Sequence, residues 1–64
     1  MLPHEQRVID ERNELDGRIE RLQEFFKSDT CKYILQRERD ALTIQLGVMR
    51  SYADILRMRI KNFS

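Results

Sequence analysis

The sequence predicts an all-α fold: an antiparallel two-helix hairpin, coiled-coil-like, that oligomerises into a four-helix bundle or a larger helical assembly. Three observations support this prediction. Apolar residues recur at steps of three and four in both halves of the 64-residue chain. A single cluster of turn residues, Ser28-Asp29-Thr30, separates the halves. No segment alternates strictly between apolar and polar residues, as a half-buried strand would.

The first helix is predicted to run from about residue 3 to residue 27. Pro3 suits the first turn of a helix, where its missing N–H costs nothing. The apolar stripe of this helix is formed by Val8, Leu15, Ile19, Leu22 and Phe26. Arg12 occupies the stripe position between the first two of these residues. The stripe predicts that one face of the helix packs on a neighbour.

A turn at about residues 28–34 leads into a second helix at about residues 36–61, the whole chain being one domain. Ser28 or Asp29 is expected to cap a short helical turn before it. Because the connection is short, the two helices should be antiparallel. The heptad seam of the second helix consists of Leu35, Leu42, Leu46, Met49, Ala53, Leu56, Ile60 and Phe63, with Arg39 at the one irregular position.

A second apolar set lies on the opposite side of the second helix, at about 100° of rotation per residue. It consists of Ile44, Val48, Ile55 and Met58. One antiparallel neighbour covers only one side of a helix, and a chain this short is marginally stable alone. The single cysteine, Cys31, excludes an internal disulfide. We therefore expect this second set to form the interface of a homo-oligomer.

Charge and hydropathy restrict the class of protein further. The net charge is +1, and apolar runs are too short for a membrane span or a secretory signal. Residues 1–30 hold five Lys/Arg against eight Asp/Glu, whereas residues 31–64 hold seven against three. Such halves are complementary when two helices lie side by side. A free cysteine without an export signal favours the reducing cytoplasm.

No catalytic, metal or cofactor site is expected. The only histidine, His4, lies near the start of the chain, far from Cys31 in the turn. A cysteine nucleophile would need a base beside it, and no Cys/His cluster has metal-ligand spacing. The sequence therefore favours a binding protein over an enzyme.

The basic end of the second helix is the best candidate for a ligand site. Arg50, Tyr52, Arg57 and Arg59 are the candidate contacts. Arginine binds phosphate in bidentate fashion, and an aromatic ring can stack on a base. The alternative is that Asp54 pairs with the neighbouring arginines and that the other basic residues are solvated.

Arg12 and Arg39 interrupt the two apolar seams, and three interpretations stay open for them. Each could extend its guanidinium to water, or pair with a carboxylate across the interface and fix the register. In an assembly around an axis, both could line a polar pocket.

With these patterns in view, the chain resembles small uncharacterised phage and prophage helical-hairpin proteins. The matching residues are Arg7-Val8, Glu11, Glu14-Leu15-Asp16, Ile19, Leu22, Gln45-Leu46, Met49, Tyr52, Ile55-Leu56 and Arg59-Ile60. A looser similarity is to the hairpin domain of phage anti-CBASS and Thoeris anti-defence sponges. The comparable features are Arg7, Glu14-Leu15, the turn, the stretch from Glu38-Arg39 to Leu42, and the basic residues late in the second helix. The architecture alone resembles the plasmid RNA-control hairpins of the Rop type.

These resemblances imply a phage accessory protein that acts by stoichiometric binding. The specific expectation is sequestration of a cyclic-nucleotide immune signal or another phosphate-bearing small molecule, which is counter-defence. A protein–protein inhibitor or adaptor of a host protein is the second hypothesis. A Rop-like RNA-binding hairpin is the third, and the near-neutral net charge argues against RNA.

Overall fold

The computed structural model describes residues 1–63 and forms a hairpin of two long helices. Helix α1 spans Pro3–Lys27, a short 3-10 helix spans Asp29–Tyr33, and helix α2 spans Gln36–Lys61. Residues 1–63 contain no strand. The all-helical class is therefore confirmed, and the hairpin measures 46 × 15 × 14 Å along its principal axes.

Hydrogen bonds at both ends of α1 explain where this helix begins and ends. At its start, the Glu5 carboxylate accepts a hydrogen bond of 3.0 Å from the backbone N–H of Leu2. At its end, the Ser28 N–H and hydroxyl both donate to the Phe25 carbonyl, at 3.0 and 2.6 Å. Ser28 occupies the expected N-cap position of the 3-10 helix, but its side chain does not cap that helix. This hydroxyl bonds back to α1, and no side-chain cap bond begins the 3-10 helix.

The core of the hairpin lies along the predicted seam between α1 and α2. Val8 and Leu15 of α1 are buried against Ala53 and Leu56 of α2, with Leu56 fully buried. Partly buried apolar residues extend this cluster, namely Ile19, Met49, Ile60 and Phe63. Cys31 is buried separately in the turn.

Leu35 departs from the predicted seam, because it is 62% exposed. It precedes α2 in an extended conformation, with φ −63° and ψ 146°. Its carbonyl accepts the first helical bonds, from the N–H groups of Glu38 and Arg39 at 3.0 Å. Its side chain therefore does not follow the helical rotation that places Leu42 and Leu46 on the seam.

The far side of α2 is uncovered by the rest of the hairpin. Its four apolar residues are between 51% and 68% exposed, and they are Ile44, Val48, Ile55 and Met58. We name this set the outer apolar face. The hairpin thus leaves free the surface that the sequence assigns to contacts between copies.

Candidate ligand-binding groove

The seam between α1 and α2 has two flanks, and the four candidate ligand residues divide between them. At 100° of helical rotation per residue, Tyr52 and Arg59 lie on one edge of the buried stripe of α2. Arg50 and Arg57 lie on the other edge, seven residues apart and so about 10.5 Å apart along the helix. A single hairpin therefore does not bring the four side chains together at one point.

Tyr52 is held by a carboxylate of α1. Its hydroxyl donates a hydrogen bond of 2.5 Å to the Glu11 carboxylate. This bond raises the pKa of Tyr52 above its ordinary value of 10.0, because the protonated phenol is the hydrogen-bond donor. Desolvation and the negative charge of Glu11 raise the pKa further, whereas the positive charge of Arg59 lowers it. An anion bound here would lie beside a carboxylate.

Arg57 is engaged by two carboxylates on the opposite flank. Its guanidinium donates to Asp16 of α1 at 2.9 Å and to Asp54 of its own helix at 3.2 Å. Arg12 adds a fourth charge to this group, with its Nε 3.8 Å from the Asp16 carboxylate. Arg12 therefore pairs within α1, and a ligand phosphate would have to displace carboxylates from Arg57.

Arg50 faces an open groove of about 370 Å³ between the two helices. The other residues that line this groove are Gln23, Phe26, Lys27 and Leu46. We name it the lateral groove. No ion pair of Arg50 occurs within residues 1–63, and the lining includes no carboxylate. Of the four candidates, Arg50 is the one that faces a cavity with a second cationic group.

A second depression of about 270 Å³ adjoins the lateral groove at the turn. Its lining consists of Phe26, Lys27, Ser28, Cys31, Lys32 and Arg39. We name it the turn cavity. Arg39 donates a hydrogen bond of 2.6 Å from Nη2 to the Cys31 carbonyl, so it neither pairs with a carboxylate nor extends free into water.

Sequence reasoning missed the two residues that both depressions share, Phe26 and Lys27. In the sequence, Phe26 belongs to the apolar stripe of α1, and Lys27 is predicted only as the end of that helix. The signal that could have found them is the occurrence of Lys27 and Lys32 on either side of the turn, close to Arg39.

A family model with the description Sequestin matches residues 2–62, which is nearly the whole chain. The chain belongs to the Sequestin family. No curated protein and no solved structure matches it.

The Sequestin name indicates a protein that binds or sequesters rather than one that catalyses. Two further findings concern residues 1–63 of this Sequestin. No group of His, Cys, Asp and Glu side chains there is arranged to hold a metal ion. Neither α1 nor α2 has the length and hydrophobicity that a membrane-crossing helix requires.

Proposed function

We propose that this Sequestin is a non-catalytic phage or prophage protein that sequesters a phosphate-bearing small molecule in the host cytoplasm. The observation that carries the proposal is the family match over residues 2–62. The best specific candidate is a cyclic-nucleotide immune signal, so that the protein acts in counter-defence. Such a protein needs no reaction chemistry, because it lowers the free concentration of the signal simply by binding it.

The cationic side chains along α2 support the choice of a phosphate-bearing ligand. Arginine presents a planar fork of donors that matches two phosphate oxygens at once. The proposed contacts are Arg50, Tyr52, Arg57 and Arg59. Because they lie on two flanks, one ligand would contact all four only where flanks of neighbouring copies meet.

Self-association is part of the proposal, with the outer apolar face as the contact between copies. Burying apolar surface contributes about 25 cal/mol per Å². The exposed side chains of Ile44, Val48, Ile55 and Met58 supply that surface. Association also adds to the stability of a chain whose own core is small.

Isothermal titration calorimetry tests the proposed ligand class. The purified chain is titrated with a panel of cyclic di- and trinucleotides, and the matching linear nucleotides serve as controls. We expect saturable heat with at least one cyclic member and a fixed ratio of ligand to chain. Native mass spectrometry of the same sample reports the number of copies and any ligand that purifies with them. The absence of heat with every member would contradict the ligand assignment.

Inhibition of a host protein is the second candidate, and the outer apolar face is the observation that favours it. An apolar patch of this kind often marks a protein–protein contact. Pull-down from bacterial lysate distinguishes it from nucleotide capture. Binding of one host protein that Ile55→Asp abolishes, with no heat from any nucleotide, would favour the inhibitor. RNA binding would instead show an affinity that falls steeply with salt.

A further inference from the structure

Arg39 carries a donor that the described part of the chain leaves without a partner. Its Nη2 donates to the Cys31 carbonyl at 2.6 Å. Its Nε is buried and has no hydrogen-bond acceptor among residues 1–63. A buried unpaired donor on a cationic group is costly, and in a folded protein it commonly indicates an ion, a water or a ligand at that position.

The charges around Arg39 favour an anion in the turn cavity that this residue lines. Lys27 and Lys32 line the same turn cavity, and no carboxylate belongs to its lining. The pairs that these lysines make, Lys27 with Glu24 at 3.9 Å and Lys32 with Asp29 at 3.3 Å, are exposed. Exposed pairs contribute little to stability, so a phosphate could replace them.

The lateral groove extends this cationic site to Arg50. Phe26 and Lys27 line both depressions, so the two lie next to each other along the seam. The lateral groove alone, at about 370 Å³, lies within the range of small-molecule sites. Phe26 supplies an aromatic ring beside the cations, and a nucleotide base can stack on such a ring.

We infer that the turn end of each hairpin is the nucleotide-phosphate site, with Lys27, Arg39 and Arg50 binding phosphate oxygens and Phe26 contacting the base. The inference rests on the proposed function, but it places the ligand site at the turn and not at the end of α2. At the other end, Tyr52 already donates a hydrogen bond to Glu11. Arg57 already donates to Asp16 and Asp54. The turn end has cationic groups that are free or weakly paired, whereas at the far end Arg57 is already paired with two carboxylates.

A nuclear magnetic resonance titration with inorganic pyrophosphate locates the anion site without depending on the identity of the nucleotide. The full chain is labelled with nitrogen-15, and the backbone amide shifts are followed. We expect saturable shifts at Phe26, Lys27, Lys32, Arg39 and Arg50. An absence of shifts, or shifts confined to the region of Tyr52 and Arg59, would overturn the assignment.

Charge-removing variants then test the site against the nucleotide found by calorimetry. Arg39→Gln and the double variant Lys27→Gln/Arg50→Gln should each weaken binding by roughly tenfold or more, because each removes charge-assisted hydrogen bonds. Arg37→Gln is the matched control, since this exposed arginine lies on α2 but lines neither depression. Arg39→Gln also removes the hydrogen bond to the Cys31 carbonyl, and circular dichroism will show whether this loss disturbs folding. If it does, the double variant still tests the site, because it keeps Arg39.

The outcomes separate this site from the proposed function. A nucleotide that binds the double variant and the wild-type chain equally well would overturn the site and leave sequestration standing. Pyrophosphate shifts at the turn without binding of any cyclic nucleotide would support the site and contradict the proposed ligand. Binding lost with Arg59→Gln but kept with Arg50→Gln would return the site to the opposite flank and overturn the inference.

Discussion

Glu11 and Asp16 of α1 each hold a polar side chain of α2, on opposite flanks of the seam. Glu11 accepts from Tyr52 and Asp16 accepts from Arg57, and both contacts join residues 41 positions apart in the sequence. Exposed polar contacts contribute little to stability, but they favour one register of the two helices over its neighbours. They also occupy two of the four groups that the sequence offers to a ligand.

The hydrogen bond between Tyr52 and Glu11 predicts that the Tyr52 hydroxyl loses its proton at a higher pH than an ordinary tyrosine does. In a Tyr33→Phe background, the phenolate absorbance of Tyr52 should rise with a pKa above 10.0, because the protonated phenol donates to the carboxylate. Since the pKa is raised in the folded state, the stabilisation is complete below pH 10.0 and is lost as the pH rises through the raised value.

Glu11→Ala is the informative variant for this prediction, and Glu14→Ala is its control on the same helix. Removing Glu11 takes away the acceptor and its negative charge, so the pKa of Tyr52 should fall. Glu14 makes no hydrogen bond with Tyr52, so its removal should leave the titration unchanged. Identical curves for the two variants would show that the bond is absent in solution.

Helix α2 buries one side against α1 and exposes a second apolar side, with Gly47 between them. A Cβ placed on Gly47 would meet no atom within 4 Å, and its φ is not positive. The hairpin therefore gives this glycine no role in close packing or in backbone conformation. Gly17 of α1 differs, because its added Cβ would lie 3.4 Å from Nη1 of Arg21.

Gly47→Ala should accordingly stabilise the hairpin by about 0.5–1 kcal/mol, since alanine loses less backbone entropy in a helix than glycine does. Chemical denaturation followed by circular dichroism measures the free energy of unfolding. Gly17→Ala is the companion variant, with an equal or smaller gain expected because the flexible end of Arg21 must adjust. A loss of stability, or dissociation of an oligomer, with Gly47→Ala alone would show that another copy packs closely on this glycine.

The elements that the sequence predicted well are those set by local periodicity. The steps of three and four place Val8, Leu15, Ala53 and Leu56 on the seam, and these four are buried. The prediction that Leu35 lies on the seam is wrong, because the conformation of the turn decides where α2 begins. Helical periodicity carries no information about that conformation. The turn also decides that Arg39 reaches the Cys31 carbonyl.

The candidate site follows the same division between local and long-range information. Arg50 could be proposed from the composition of α2 alone. The approach of Phe26 and Lys27 to Arg50 depends on the register of the two helices and joins residues more than twenty positions apart. No local pattern encodes such a contact, so the sequence could suggest the chemistry of the ligand but not the position of the groove.

The whole molecule has a small core for its surface. Four core residues along the seam are buried, while the outer apolar face remains exposed over the middle of α2. A 64-residue chain without a disulfide has few other sources of stability. Contact between copies would cover this face and add to the buried area, so folding and association are expected to be linked.

Ile55→Asp tests that linkage. Ile55 lies within the outer apolar face, on the side of α2 opposite the seam, and is 51% exposed in the single hairpin. In an oligomer, the same carboxylate would be buried among apolar side chains without a partner, at a cost of several kcal/mol. We expect monomeric or unfolded chains. Sedimentation velocity and circular dichroism, measured on the same samples, distinguish the two.

Gln45→Asp is the control for Ile55→Asp, because it adds the same charge to an exposed position of α2 outside the outer apolar face. It should sediment as the wild-type chain does. A native oligomer that survives Ile55→Asp intact would place the contact between copies elsewhere. A wild-type chain that stays folded as a monomer on dilution would show that the seam core is sufficient by itself. In that case the outer apolar face is free to bind a host protein. This result would favour the inhibitor hypothesis over self-association.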